Sequence, residues 1–398
     1  IQEEIMITVV DLGASSTRYA SNNGKIRVIP NNMEFLEPDE IVDMELNDQS
    51  IEHALELVIE HTGGDEAFNQ ANYPKKLLVG EMAERYNSPN RRPNNMLAKN
   101  KQAINYYSGV LAVAVSKLYS PENTEPVDLY LAFPPIECDK ETKDEIAKKF
   151  SGHYKIEFVK LGKTVEFDIE SVKVYEESFM AVLSYFFDMN GSVKPNTQQW
   201  LSGNILSLDI GDSTTDFVLV QNGKFVNRSG QSYRIGGNYV VTRVINSVQQ
   251  EYSYLLPVEA ARQVVATGRI QAGNGYTDAS KIVDKAKKSF ASQLRGHIEA
   301  YFGQMNIPLA YIRAIVVSGG GSMQGQYVDE AGMTHVTSRP MSAFITDELK
   351  SICEGVEVLS YGDNPRMANT SGLFIMAMVN EKKKQAQAAK AAQAAKNE

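Results

Sequence analysis

Apolar residues in this chain fall into short β-branched runs and longer repeats at helical spacing. The run Ile5-Met6-Ile7-Thr8-Val9-Val10 ends at Asp11-Leu12-Gly13, and Arg18-Tyr19-Ala20 followed by Asn22-Asn23-Gly24 predicts a second strand entering a tight turn. The same order of strand, Gly turn and strand returns in the second half. Ile205-Leu206-Ser207-Leu208 leads into Asp209-Ile210-Gly211-Asp212-Ser213-Thr214-Thr215-Asp216, then Phe217-Val218-Leu219-Val220 and the turn Gln221-Asn222-Gly223-Lys224. The pattern implies a degenerate internal duplication.

Between the repeats, residues 30–100 are polar and irregular, with clusters such as Ser88-Pro89-Asn90-Arg91-Arg92-Pro93. They read as a small inserted subdomain of loops, expected to be mobile. Apolar residues recur at helical spacing from Gln102 to Leu118, and Val127 to Ala132 is a buried strand closed by Phe133-Pro134-Pro135. A strand over Thr164 to Val174 leads into a helix from about Ser178. Gly236-Gly237-Asn238 opens a helix through Val248, and Pro257 to Val265 and Asp278 to Phe302 are two more helical stretches. Ile312 to Val317 is a strand running into Gly319-Gly320-Gly321.

A length of 398 residues with 43% apolar content suits large cores and two domains better than one. Cys138 and Cys353 form no disulfide framework and no metal-ligand spacing, so both are expected as reduced thiols. That reading, with no apolar run near the roughly 20 residues that span a bilayer and no signal pattern, points to the cytoplasm. Met6 is a candidate native start, and residues 1–5 carry no part of the argument. The net charge of −9 opposes direct wrapping of nucleic acid, which needs Lys and Arg to displace counterions. The tail 381–398, rich in Ala, Gln and Lys, reads either as a solvated, partly helical segment or as a basic tether for a partner.

The candidate chemistry lies in the Gly turns. In the first, Gly13 lets backbone approach an anion, Ser15, Ser16 and Thr17 bring hydroxyls and amides, and Arg18 adds a charge-assisted contact. A plain hairpin between core strands would use Gly and Ser in the same way. The second turn, with Gly211, Asp212, Ser213, Thr214 and Thr215, changes the balance. Two such hairpins can clamp a nucleotide's phosphates while Asp11 and Asp209 hold Mg²⁺ through its water shell. A third element, Gly319-Gly320-Gly321-Ser322-Met323, suits the close packing of adenosine on backbone. Met323 lies either on the adenine face or in the core.

These motifs, in this order, resemble the sugar-kinase, heat-shock and actin superfamily over about Ile5 to Val379, and within it the ParM-type plasmid-segregation actins of bacteria. The resemblance implies an α/β class: the actin-like, ribonuclease H-like duplicated fold, with two related domains flanking a nucleotide cleft, each on a mixed five-stranded sheet. The expected domains are 1–175, with the insertion at about 30–100, and 176–380, with a small subdomain at about 237–312. In the ParM type a Glu after a strand orients the water that attacks the γ-phosphate. In Val172-Lys173-Val174-Tyr175-Glu176-Glu177-Ser178, Glu177 falls at that place, with Glu176 as the alternative and a pair of exposed first-turn acids as the third reading.

Gly236 and Gly237 resemble the turn after the second phosphate hairpin, and Asp363-Asn364-Pro365-Arg366-Met367-Ala368-Asn369-Thr370-Ser371-Gly372-Leu373 resembles the C-terminal segment with its Asn-x-x-Gly helix start. Lys287 falls where actin-like proteins place a nucleotide-contacting Lys. Lys285, Lys287 and Lys288 on one helix also read as a solvated face. The catalytic set implied is Glu177, Asp209 and Asp11, and the cofactors are Mg²⁺ and ATP, with GTP as the alternative. The expected partners are further copies of the chain in a filament and a DNA-binding adaptor, with no direct nucleic acid and no membrane. The competing functions are a monomeric ATPase or small-molecule kinase and a bacterial or archaeal cytoskeletal actin not tied to plasmids.

Overall fold

The structure is a computed structural model, and it describes all residues except 1–4, 15, 38, 44–53, 64–74, 81, 84, 85, 87–97, 196, 274, 329–333, 354, 361–363 and 396–398. The chain divides into two units. The first comprises Ile1–Glu176, Met189–Gly191 and Leu373–Glu398, and the second Glu177–Asp188 and Ser192–Gly372.

In the first unit the strands are β1 (Met6–Leu12), β2 (Ser16–Ser21), β3 (Arg27–Pro30), β4 (Met33–Leu36), β5 (Ala54–Thr62), β6 (Lys75–Gly80), β7 (Val127–Phe133), β8 (Gly152–Phe158) and β9 (Lys163–Glu176). They form one nine-stranded sheet in the order β3-β2-β1-β7-β9-β8-β5-β6-β4. β1 pairs antiparallel with β2 and parallel with β7, which pairs parallel with β9. β1 and β7 are buried along their whole length, as near-continuous apolar strands of a covered parallel sheet must be. Helix α1 (Ala103–Tyr119) is apolar almost all round and correspondingly buried from Ile104 to Lys117. Helix α2 (Lys140–Phe150) starts at Asp139, whose carboxylate accepts from Thr142 N at 3.0 Å.

The segment 30–100, read from sequence as irregular, contains β4, β5 and β6, which extend the sheet beyond five strands. The alternation of buried Leu55, Leu57 and Ile59 with Glu56, Val58 and Glu60 is strand-like. Its polar appearance comes partly from Glu56, which is buried and paired with Lys76 at 2.8 Å and Lys160 at 3.7 Å. The Ser88–Pro93 cluster lies outside the described residues.

The second unit is built on β10 (Asn204–Ile210), β11 (Thr215–Gln221), β12 (Lys224–Phe225), β13 (Gln231–Tyr233), β14 (Arg269–Ala272), β15 (Gly275–Asp278), β16 (Ile312–Ser318), β17 (Gln326–Val328), β18 (Thr334–Val336) and β19 (Glu357–Ser360). Its main sheet runs β12-β11-β10-β16-β19. This order, with its antiparallel pair β10-β11 and parallel pairs β10-β16 and β16-β19, repeats β3-β2-β1-β7-β9 strand for strand. The internal duplication is therefore structural.

Its helices are α3 (Glu177–Phe186), α4 (Gln198–Leu201), α5 (Gly237–Tyr252), α6 (Val258–Thr267), α7 (Ser280–Met305) and α8 (Met341–Lys350). On α7, Ile282, Val283, Ala286, Phe290, Leu294, Ile298, Tyr301 and Phe302 recur at helical spacing and join the core with Val240, Val244 and Leu208. Helix α9 (Ala368–Ala395) closes the chain. Residues 373–380, expected in the second domain, belong to the first unit. There Asn380 Nδ2 donates to Tyr175 Oη at 2.9 Å, and Lys384 Nζ lies 2.6 Å from Asp128 Oδ2.

Candidate functional site

β1 carries its apolar run to Asp11 and Leu12, and β2 returns so that Asp11 pairs with Arg18 and Leu12 with Thr17. This register sets Arg18 beside the carboxylate. Its Nη1 lies 3.4 Å from Asp11 Oδ2, and its Nη2 donates to Ser16 Oγ at 3.1 Å. Thr17 points the other way. It is fully buried, and its hydroxyl donates to Asn31 Oδ1 at 2.8 Å, an oxygen that also accepts from Ser108 Oγ at 2.6 Å. Asn31 Nδ2 in turn donates to Gly13 O. One buried amide thus ties the hairpin to α1. Ser15 lies outside the described residues.

The second hairpin repeats this frame, with Asp209 opposite Asp216 and Ile210 opposite Thr215. Gly211 N donates to Thr214 O at 2.8 Å and closes the turn. Thr215 is buried like Thr17, and its hydroxyl donates to Ile235 O at 2.5 Å. The expectation that Thr17 and Thr215 offer hydroxyls to phosphate is corrected here: strand alternation turns both inward, where they serve as anchors. Asp216 accepts from Ser232 Oγ. Asp212, at the tip, pairs with Arg262 of α6 at 3.0 Å.

The helix and the Gly-rich turn that follow this hairpin pack on it backbone to backbone. Gly237 N donates to Gly211 O at 2.9 Å and Asn238 N to Asp212 O at 2.8 Å, so the first amides of α5 are taken up by the loop. A Cβ at Gly236 would stand 2.6 Å from Asp212 O, and one at Gly321 would stand 2.7 Å from Gly211 O. Gly319 has φ +85°, and a Cβ there would overlap Asp209 Oδ1 and Ile210 O. Three chain segments meet at this junction because none carries a side chain. Gln324 Nε2 fastens it by donating to Gly237 O at 2.7 Å, and Ser322 Oγ donates to Gly319 O at 2.7 Å. Met323 is buried and Gly320 lies against Arg366.

Asp209, itself buried, accepts from Asn369 Nδ2 at 2.7 Å. Three residues on, a Cβ at Gly372 would overlap Met180 O, so the Asn-x-x-Gly start of α9 both fixes Asp209 and lies against α3. The first turn of α3 is bolted to the sheet: Ser178 Oγ donates to Asp216 O at 3.1 Å, and Ser207 Oγ donates to Ser178 O at 2.7 Å. Glu177 opens this helix and is only 7% exposed, which removes the reading of an exposed first-turn acid. Glu176 is engaged elsewhere, 2.9 Å from Lys143 Nζ of α2.

Two family models match the chain: one for the N-terminal domain of actin-like proteins over residues 10–179, and one for the C-terminal domain of an archaeal MreB-like actin homologue over residues 207–326. Solved structures are similar over nearly the whole chain. The actin-like protein Alp7A has 17% identity, covers 97% of this chain and 99% of its own, and superposes with a TM-score of 0.69. The archaeal actin homologue Ta0583 gives 16% identity, 95% and 100% coverage and a TM-score of 0.66. The subunit of a 15-stranded ParM filament from Clostridium botulinum gives 18%, 95% and 99%, and 0.64. No curated protein is significantly similar in sequence. The chain has the actin-like fold, and both of its halves match actin-like domains.

In this actin-like protein, Lys287 is not part of a solvated face. Lys285 and Lys288 are exposed, whereas Lys287 is 0% exposed, with its Nζ donating to Ser338 Oγ at 3.0 Å and Arg339 O at 2.8 Å. Burial pushes its pKa down to about 8, opposed by the nearby Asp284 carboxylate. Its ammonium also lies against Gly325, so it braces the turn after the Gly-rich segment.

Sequence reasoning left Asn31, Arg262, Gln324 and Asn369 out of the candidate set. Asn369 was visible within the Asn-x-x-Gly motif. Arg262 is remote from the hairpin in sequence, and Asn31 and Gln324, though close to candidate segments, carry no local signal.

Proposed function

We propose that this actin-like chain binds Mg-ATP, assembles into filaments and hydrolyses the nucleotide, and that the filaments segregate plasmid DNA through a DNA-binding adaptor. The observation that carries this reading is the side-chain-free junction of Gly211, Gly236, Gly237 and Gly319–Gly321 beside Asp209. A junction of that kind suits an adenosine and its phosphates on backbone. Gly13, Ser16 and Arg18, with Gly211, Ser213 and Thr214, are proposed to take phosphate oxygens, and Gly319–Met323 the adenosine.

Among the described residues no three His, Cys, Asp or Glu side chains could hold a metal ion together. Mg²⁺ needs no such cage, because it retains most of its waters and uses one or two carboxylates with phosphate oxygens. Asp11 of the first unit and Asp209 of the second are each proposed for that role. Asn369 Oδ1, buried with no hydrogen-bond partner among the described residues, is an acceptor of the kind that a hydrated cation's waters satisfy. The ion would neutralise charge on the phosphates. Glu177, held at the start of a bolted helix, is the carboxylate proposed to orient the attacking water.

The filament reading rests on the fold shared with the Clostridium botulinum ParM filament subunit. It is tested by sedimentation of the purified chain in ATP, ADP and a non-hydrolysable analogue, with GTP as a further arm. A critical concentration about tenfold lower in ATP than in ADP, equivalent to about 1.4 kcal/mol, is expected. Glu177→Gln should still pellet in ATP while phosphate release falls. With a net charge of −9, filaments alone should leave plasmid DNA in the supernatant. Equal critical concentrations in ATP and ADP, or no pellet in any nucleotide, would defeat the reading.

A further inference from the structure

The tip of the second hairpin holds a feature that an anion site should avoid. Asp212 sits in the turn between β10 and β11, next to Gly211, where a carboxylate would repel phosphate. Its backbone cannot carry the charge away: Asp212 O is fixed by Asn238 N at 2.8 Å, and Gly236 packs against the same carbonyl. The side chain instead meets Arg262, with Nη1 3.0 Å from Oδ1 and Nη2 3.5 Å from Oδ2, a two-pronged contact. Arg262 comes from the middle of α6, where Ala261, Val264 and Val265 are buried, so the helix holds the guanidinium in place. Arg262 Nε is buried without a hydrogen-bond partner among the described residues, and the guanidinium's hydrogen bonds run to Asp212.

We propose that Arg262 is a positioning residue of the second phosphate loop, which it makes competent for nucleotide by masking the charge of Asp212. The inference rests on the functional reading above. An ion pair this accessible contributes little to stability. Its main effect is local: it removes one negative charge from the loop that would face the phosphates. Glu259, one turn back on α6, adds to the field around Arg262 without replacing Asp212 as its partner.

The test is the affinity of the purified chain for a fluorescent ATP analogue with Mg²⁺, measured by titration at low and high salt. The chains compared are wild type, Arg262→Ala, Arg262→Lys, Asp212→Asn and the double variant Arg262→Ala with Asp212→Asn. Arg262→Ala should weaken binding about tenfold at low salt and less at high salt, as screening shortens the reach of the bare carboxylate. Arg262→Lys should keep most of the affinity, and the double variant should recover it. Recovery separates masking from a structural role, because Asp212→Asn does not rebuild the lost contact. Unchanged affinity in Arg262→Ala, or a double variant as weak as the single one, overturns the proposal while leaving the functional reading intact. Failure of the wild-type chain to bind any nucleotide overturns both.

Discussion

The hairpins of the two units share a turn length, a register and an inward-pointing threonine, yet they are held by opposite means. In the first, a single side chain does the anchoring: Asn31 accepts from Thr17 and Ser108 and donates to Gly13 O. In the second, beside the Thr215 and Gln324 side-chain bonds to main chain, the absence of side chains at Gly236, Gly319 and Gly321 lets three backbone segments close on one another. A side-chain latch can be weakened by degrees. A backbone junction resists any added atom, because an added Cβ meets main-chain oxygens at Gly236, Gly319 and Gly321 and the buried Asp209 and Ile210 side chains beside them.

That contrast can be broken most severely at Gly319. Gly319→Ala puts a Cβ against Asp209 and Ile210 O at a residue with φ +85°, so a loss of about 3 kcal/mol or more in the stability of the second unit is expected from urea unfolding. A loss below about 1 kcal/mol would show that the segments can part. The latch of the first hairpin is the next test. Asn31→Ala removes the partner of two buried hydroxyls and a carbonyl and should cost about 2 to 3 kcal/mol, with faster amide exchange in β1 and β2. Unaltered exchange there would mean that strand pairing alone holds the turn.

The smallest effect is electrostatic. Lys287 titrates at about 8 in the folded chain against an ordinary 10.5, so between those values the unfolded state binds more protons and stability rises with pH. The slope should be at most about 1.4 kcal/mol per pH unit, and Lys287→Met should remove it. The first unit buries Lys117, with its Nζ donating to Asn123 O at 3.0 Å and Glu125 O at 2.7 Å. Burial lowers its pKa too, but Glu125 and Asp168 oppose the shift, so Lys117→Met should flatten the slope less. Because buried tyrosines such as Tyr106 and Tyr154 pull stability down as pH approaches their ordinary value, the test is the difference between wild type and each Met variant, and a difference that does not change with pH would contradict the assignment.

The repeated hairpins were legible in the sequence because strand, Gly turn and strand are local signals, and both turns carry the same Asp-x-Gly spacing. The α/β class and the third Gly-rich turn were legible for the same reason. The strands β4 to β6 were not. Their alternation is short, and Glu56 sits at a core position where its pairing with Lys76 and Lys160 makes it tolerable. Thr17 and Thr215 were assigned to phosphate because composition shows a hydroxyl but not the side of the strand on which it falls. Lys287 read either as a nucleotide contact or as part of a solvated face with Lys285 and Lys288, and what distinguishes it from those two is the loop at Ser338 and Arg339, far away in sequence.

Strand β9 belongs to two sets of partners at once. Its first half pairs antiparallel with β8, its second half runs parallel to β7, and Ile169 stands at the changeover, opposite both Gly152 and Val127. The outer strands β8, β5, β6 and β4 are therefore carried on an uninterrupted extension of a strand whose other half is fixed by β7. Those outer strands are joined to the β1-β2 hairpin through β9 and β7 rather than by pairing with it, and they share its core through Leu55, Leu57 and Leu77.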